Sequence, residues 1–409
     1  MVDNLKNLIQ AKIEDREEKK KDKRGPRTPH QLLALEIAES FGKQNSRRDI
    51  AILMNMCKKY PENYIRNIWG TVKEKNIGNK MAYFLAIVKN KNEEEKEEKM
   101  RNLKILFIGT SAFSVPALKK LKEKNLNIIS VITQPDRPVG RKKEMTPPPV
   151  KVIAKELGLP ILQPENISTI TDKIQELKPD LAVMISYGQI IPKEIIDIPN
   201  YGTLNIHPSI LPKYRGSSPI QSAILNQDKQ IGVAIMLIDE KMDHGPILSI
   251  KKVKTYNKNY LTLHNELANL GANLLIEVIP QYITGQSTAK EQNHKKATFT
   301  KILKRADGKI NWSKKVEKIE AQMRAYYPWP GSWCDTDNEK KIKIIKATIN
   351  ETESSNKNFG EIVNSSANEK MIVLCKKGSL ILNEIQLEGK TATNGEEFLR
   401  GNNKIKKLK

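Results

Sequence analysis

The sequence predicts an α/β protein in three parts: a small all-α module, a parallel-sheet domain and a small β-barrel. Three patterns carry that expectation. Over the first hundred residues apolar side chains recur at helical spacing between charged runs. From Lys104 short apolar runs alternate with helix-period segments, which is how a parallel sheet covered by helices reads. After Lys341 short strand-like runs are separated by Asn, Ser and Gly turns, as in a small barrel. The chain of 409 residues is long enough for all three. The expected boundaries are 1–100 for a helical basic extension, 101–290 for the α/β domain, 291–335 for a linker and helix, and 336–409 for the barrel.

In the first part, the charge-dense runs Glu14–Arg27 and Glu93–Lys99 bracket the helical middle. Leu33, Ile37 and Ala38, then Ile50, Leu53 and Met56, then Met81, Phe84 and Leu85 supply its apolar stripes. Pro61 and Gly70 are expected to break it into three or four short helices. Met100-Arg101 opens the next part so abruptly that it reads as a fusion point or a start site.

Strands are expected at Lys104–Gly109, Asn127–Thr133 and Leu181–Ser186, with helices at Val115–Asn125, Val150–Leu157 and Ile167–Leu177. Gly109-Thr-Ser-Ala-Phe113 follows the first strand but lacks the three glycines that bring backbone close to a dinucleotide pyrophosphate. The Pro- and Gly-rich stretch Gln134–Pro149 reads as a flexible loop, and Arg137, Arg141, Lys142 and Lys143 make it suited to phosphates. Further on come a strand at Ser249–Val253, a helix through Leu261, Leu267 and Leu274, and a linker-like Tyr282–Lys296. The aromatics of Tyr326–Trp333 would clamp a helix against a second domain or stack on a base, and the barrel strands are Ile342–Ile345, Met371–Leu374 and Ser379–Ile385. Lys404–Lys409 reads as a basic tail.

A formal charge of +23 favours a polyanionic partner such as nucleic acid or an anionic membrane. No apolar run approaches the roughly 18–20 residues of a membrane span, and the charged N-terminus offers no signal region. Three distant cysteines lack metal-ligand spacing and suit a reducing cytoplasm.

The chemistry is concentrated in Leu204–Leu248. Asn205 and His207 are two apart in an apolar run, so on a strand they share a face. Pro208 stops that strand, and the run Ile231–Ile238 leads on to Asp243 before a Gly-Pro turn. An amide, an imidazole and a carboxylate suit transfer of a small acyl group to an amine. Negative charge building on a carbonyl oxygen needs a donor. The amine must lose a proton and the leaving nitrogen must gain one, which histidine can do near neutral pH. With no serine or cysteine nucleophile placed nearby, direct transfer is the expected route. Spacing alone leaves a structural histidine equally open.

The wider strings resemble the folate-dependent formyltransferases: Asn205-Ile-His-Pro-Ser-Ile-Leu-Pro-Lys-Tyr-Arg-Gly216, Pro219-Ile-Gln221, Met242-Asp-His-Gly-Pro-Ile247, Thr133-Gln-Pro-Asp-Arg-Pro138, Trp329-Pro330 and Leu387-Glu-Gly389. The resemblance runs from about residue 103 to 401 and is to the branch acting on methionyl-tRNA. It implies a Rossmann-like catalytic domain with an OB-like barrel, and 10-formyltetrahydrofolate as donor without a metal. The implied acceptor is the α-amino group of methionine on initiator tRNA, and a cytoplasmic monomer is expected. Asn205, His207 and Asp243 match the catalytic trio, and Ser209, Ile210, Leu211 and Pro212 the folate-contacting segment. Arg141, Lys142 and Lys143 match the tRNA-binding loop, and the barrel is expected to bind tRNA too. Ala112 replaces a usual acidic residue, and His244 occupies a variable position. Glycinamide ribonucleotide and sugar-nucleotide formyltransferases would share the trio, but the basic loop and barrel favour tRNA. A nucleic-acid-binding role for residues 1–100 is the expectation from a different class.

Overall fold

A computed structural model describes residues 28–140, 142–350, 358–364, 370–402 and 404–409, with backbone alone for 91–96 and 364. Arg141 and the charged run Glu14–Arg27 lie outside the described residues. The chain divides between Lys99 and Met100 into two compact units.

The first unit holds helices α1 (Pro29–Ser40), α2 (Arg47–Lys59), α3 (Glu62–Lys73) and the start of α4 (Lys80–Asn102). The Gln31 side chain accepts from the Thr28 backbone N–H, and the Ser46 hydroxyl accepts from Asp49 N–H, so α1 and α2 begin on capped turns. Leu33, Ile37, Leu53, Ile65, Val72 and Phe84 close the core, whereas Leu32 and Ile52 remain exposed. Gly70 was expected to end a helix but lies inside α3. The burial of Ile65, Ile68 and Val72 on one face outweighs the cost of about 1 kcal/mol for an interior glycine.

In the second unit the first sheet takes the order β5-β2-β1-β6-β7-β8-β9. Its strands are β1 (Ile105–Gly109), β2 (Ile128–Ile132), β5 (Ile161–Leu162), β6 (Leu181–Ile185), β7 (Thr203–His207), β8 (Gln230–Leu237) and β9 (Ile247–Lys254). Pairing is parallel from β5 through β7 and antiparallel for β8 and β9. The connecting helices are α5 (Val115–Glu123), α6 (Pro149–Glu156), α7 (Thr171–Leu177), α8 (Lys193–Ile196), α9 (Pro219–Leu225) and the long α10 (Tyr260–Ile283). The loop Gln134–Pro149, expected to be irregular, contains an exposed hairpin of β3 (Arg137–Val139) and β4 (Glu144–Thr146).

Strand alternation divides the core cleanly. Ile105, Phe107, Val183, Leu204 and Ile206 pack with α5 and α10, while Leu106, Ile108 and Ala182 face α7 and α8. Helix α10 comes close to the sheet at Gly271, where a Cβ would lie 2.5 Å from a methyl of Ile206 and 3.0 Å from one of Val233. A glycine here lets the helix sit directly on β7, between the two residues of interest.

The second sheet, β10-β11-β14-β13-β12 with β15 on β14, comprises β10 (Ser332–Asp335), β11 (Lys341–Asn350), β12 (Ile362–Asn364), β13 (Met371–Leu374), β14 (Ser379–Leu387) and β15 (Ala392–Asn394). Helix α11 (Val316–Tyr326) packs on it, and α12 (Gly395–Gly401) follows β15. Its core reaches back to Ile310 and Trp312, so residues expected to be linker supply both a strand and core side chains. The segment expected as a basic tail is structural: Asp335 N–H donates to Lys409 O at 2.9 Å and Ile362 N–H to Lys406 O at 2.9 Å. It thereby joins edge strands β10 and β12, with Ile405 and Leu408 buried beneath. Sequence alone showed its lysines; the two apolar positions between them decide its place.

Replacing Gly271 with valine should therefore lower stability by about 1–3 kcal/mol through overpacking. Denaturant unfolding followed by far-UV circular dichroism measures it, and turnover should fall with it because β7 moves.

Candidate active site

β7 turns Leu204 and Ile206 toward α10 and Asn205 and His207 to the opposite face, as the period of two requires. Both polar residues are buried, at 8% and 5% exposure. Across the antiparallel register Met236 stands opposite Asn205 and Ala234 opposite His207, and both cluster with Leu211. The walls beside the two polar groups are thus apolar.

His207 meets the carbonyl of Tyr214 through Nε2 at 2.9 Å. A carbonyl only accepts, which assigns a proton to Nε2. Nδ1 faces Asp243 Oδ1 at 3.5 Å, too long for a strong hydrogen bond. The other oxygen of that carboxylate accepts from the Gly216 N–H at 2.6 Å. No group among the described residues hydrogen-bonds the Asn205 carboxamide, so its donor and acceptor are open to a ligand.

Asp243 sits in the loop between β8 and β9 with φ +47°, a left-handed conformation for which a non-glycine residue needs support. Sequence reading missed that support. Gln292 donates to the carbonyls of Asp243 (2.9 Å) and Gly245 (2.7 Å), and Arg215 donates in turn to Gln292 (2.8 Å). Arg215 stands inside the Asn205–Gly216 string, but Gln292 lies in a polar stretch without periodicity and carries no local signal. His244, at the variable position beside Asp243, has its ring stacked on that of His294 at 3.9 Å.

The remaining predicted residues separate into two groups. Ser209 and Leu211 are buried beside the trio, and the Ser209 hydroxyl is committed to the Lys213 carbonyl at 2.6 Å. Ile210 and Pro212 are half-buried. Lys142 and Lys143 are exposed on the β3–β4 hairpin, flanked by exposed Val139 and Met145. The three cysteines are buried, which pushes the thiols of Cys57 to about 11 and Cys375 to about 12 and raises Cys334 as well; none is poised as a nucleophile. Among the described residues no cluster of three or more His, Cys, Asp or Glu would hold a metal, and no helix is long and apolar enough to cross a membrane.

Residues 103–279 match the family described as Formyl transferase, and residues 302–403 the family described as Formyl transferase, C-terminal domain. The methionyl-tRNA formyltransferase of Bacillus velezensis is 39% identical over 304 residues, covering 73% of this chain and 95% of the relative. That of Thermodesulfovibrio yellowstonii is 41% identical over 300 residues, with the same coverages. The chain belongs to the methionyl-tRNA formyltransferase family.

Solved structures extend the likeness in fold. An N-formyltransferase from Helicobacter canadensis, in complex with folinic acid and dTDP-3-aminofucose, superposes with a TM-score of 0.53 at 19% identity, over 68% of this chain and 99% of that one. HypX from Aquifex aeolicus, in complex with tetrahydrofolic acid, gives 0.51 at 16% identity over 72% of this chain; the match spans 46% of HypX, about half its length. Formyltransferases of this family use formyl-tetrahydrofolate, and both matched ranges fall in the unit that carries Asn205, His207 and Asp243.

Gly216 has φ +103°, and a Cβ there would lie 2.9 Å from the Thr300 carbonyl. Gly216→Ala should displace the N–H that holds Asp243 and cut turnover by about 10²-fold, the scale of a misplacement near 1 Å. Steady-state kinetics beside an unchanged far-UV spectrum checks this.

Proposed function

We propose that this chain transfers the formyl group of 10-formyltetrahydrofolate to the α-amino group of methionine on initiator tRNA, giving N-formylmethionyl-tRNA for translation initiation. Kinship with enzymes of that name over 73% of the chain carries the reading. We read it further as a cytoplasmic monomer that needs no metal.

The residues present fit the donor: a formamide carbonyl needs an N–H partner in a water-poor place, and Asn205 offers an unclaimed one opposite Met236, which clusters with Leu211. Ser209, Ile210, Leu211 and Pro212 would hold the folate through backbone and apolar surface, since the serine hydroxyl is spent internally. When bound, 10-formyltetrahydrofolate supplies the electrophilic carbon. Asn205 Nδ2 then donates to the carbonyl oxygen as negative charge builds there. Because Nε2 of His207 is committed to Tyr214, Nδ1 is the nitrogen that takes the proton from the attacking amine and returns it to the leaving nitrogen. Asp243 Oδ1 balances the imidazolium formed in between. The apolar, buried surroundings keep water from competing.

Lys142 and Lys143 on the hairpin, with Arg141, are assigned to acceptor-stem phosphates. The barrel, expected over 336–409 and joined in the fold by β10, offers with the residues leading into it a second cationic surface: a cleft of about 620 Å³ lined by Arg305, Trp333, Lys341, Lys343 and Lys390. Residues 1–100 precede the matched ranges, so a chain starting at Met100 should keep its turnover; slower formylation of tRNA by that shortened chain would assign the extension a role.

Formyl transfer to charged initiator tRNA tests the proposal directly. His207→Ala should lose about 10²–10⁴-fold in kcat and Asn205→Ala about 10²–10³-fold; full activity in the histidine variant overturns the assignment. Changing Lys142 and Lys143 to alanine should weaken tRNA binding and flatten its logarithmic salt dependence by about one unit per lost phosphate contact. Titration of tRNA at several salt concentrations reads both.

A further inference from the structure

Behind Asp243 lies a polar assembly that the reaction just described does not use. Arg215 is 3% exposed, and among the described residues no carboxylate pairs with it. Its guanidinium donates to Gln292 Oε1 from Nη2 at 2.8 Å and from Nε at 3.3 Å, and from Nη2 to His294 Nδ1 at 2.9 Å. The Phe299 ring lies 5.9 Å from its carbon centre. Arginine has no acceptor, so His294 Nδ1 must receive that bond. A buried cation held only by neutral groups is costly to keep, and here it grips one side chain from two nitrogens.

Gln292, itself 5% exposed, passes the constraint on. Its Oε1 accepts from Arg215 while its Nε2 donates to Asp243 O and Gly245 O. Only a carboxamide supplies an acceptor on one atom and two donors on the other. The backbone leading into Gly216, whose N–H meets the Asp243 carboxylate, is also fixed: Arg215 N–H donates to Thr298 O at 2.8 Å and Thr300 N–H to Arg215 O at 2.7 Å.

We infer that Gln292, oriented by Arg215, is a positioning residue that holds Asp243 in its left-handed conformation and so sets the carboxylate against His207. The inference rests on Asp243 serving formyl transfer. It requires the two donors of Gln292 as well as a partner for Arg215, and Gln292→Glu separates these needs. That variant keeps an acceptor for the guanidinium but removes both donors.

Steady-state formyl transfer by the full chain, with 10-formyltetrahydrofolate and charged initiator tRNA, should show kcat falling about 10–100-fold in Gln292→Glu and Gln292→Ala. Both KM values should stay within about threefold, the pattern of an interaction made in the transition state. Should the alanine variant fail to fold, Gln292→Glu retains the Arg215 contact and carries the test. Wild-type kcat in Gln292→Glu would overturn the inference, because Arg215 then needed only a counter-charge; so would a rise in KM at constant kcat. Hydrogen exchange at the Gly216 amide supplies a readout independent of turnover. It should quicken at least about tenfold in Gln292→Glu as the loop loosens, and an unchanged rate overturns the positioning role. A wild-type chain that transfers no formyl group counts against the reaction itself, whereas exchange still judges the clamp.

Discussion

β7 pairs with parallel β6 on one edge and antiparallel β8 on the other, and the arrangement of the site depends on that double pairing. With both edges hydrogen-bonded and α10 lying close on one face, the strand has no freedom to slip. A slip of one residue would exchange Asn205 and His207 with Leu204 and Ile206, placing two polar groups in an apolar core. Burial of Ile206 alone contributes about 1.5–3 kcal/mol against that exchange. Register, set by ordinary apolar packing, thereby fixes the face from which Asn205 and His207 project.

The second half of the site is built on the opposite principle. Asp243 belongs to a loop, lies in a conformation that a residue with a Cβ resists, and is placed by hydrogen bonds from Gly216 and Gln292. Hydrogen bonds to buried groups are directional and costly to leave unmade, so a few of them can position a loop closely. His207 lies where these two modes meet: its ring is carried by the strand, its Nε2 is oriented by Tyr214, and its Nδ1 faces Asp243.

What was legible in the sequence follows from this division. The strands and helices of the α/β domain showed in their periods, and the shared face of Asn205 and His207 followed from their spacing. Asp243 was a candidate from its place after the run Ile231–Ile238, and the likeness of the surrounding strings to a known family gave that candidate its weight. Gln292 was invisible because its partners, Arg215, Asp243 and Gly245, lie 77, 49 and 47 positions away, and no local pattern encodes such contacts. Gly70 misled because helix propensity is small beside the burial of Ile65, Ile68 and Val72. Lys404–Lys409 misled because four lysines conceal Ile405 and Leu408, which tie the barrel shut.

The stretch from Gln292 to Thr300 runs after the α/β domain in sequence yet forms the floor beneath Asp243 and Arg215. The two halves of the protein are therefore not exchangeable cassettes. A chimera joined at residue 290 would import its partner's version of that floor, leaving Asp243 matched to a foreign support. A junction placed beyond Lys301 would carry the native one along. Recombination between relatives, natural or engineered, is thus constrained by the polar contacts beneath the site as well as by the boundary between the two folds.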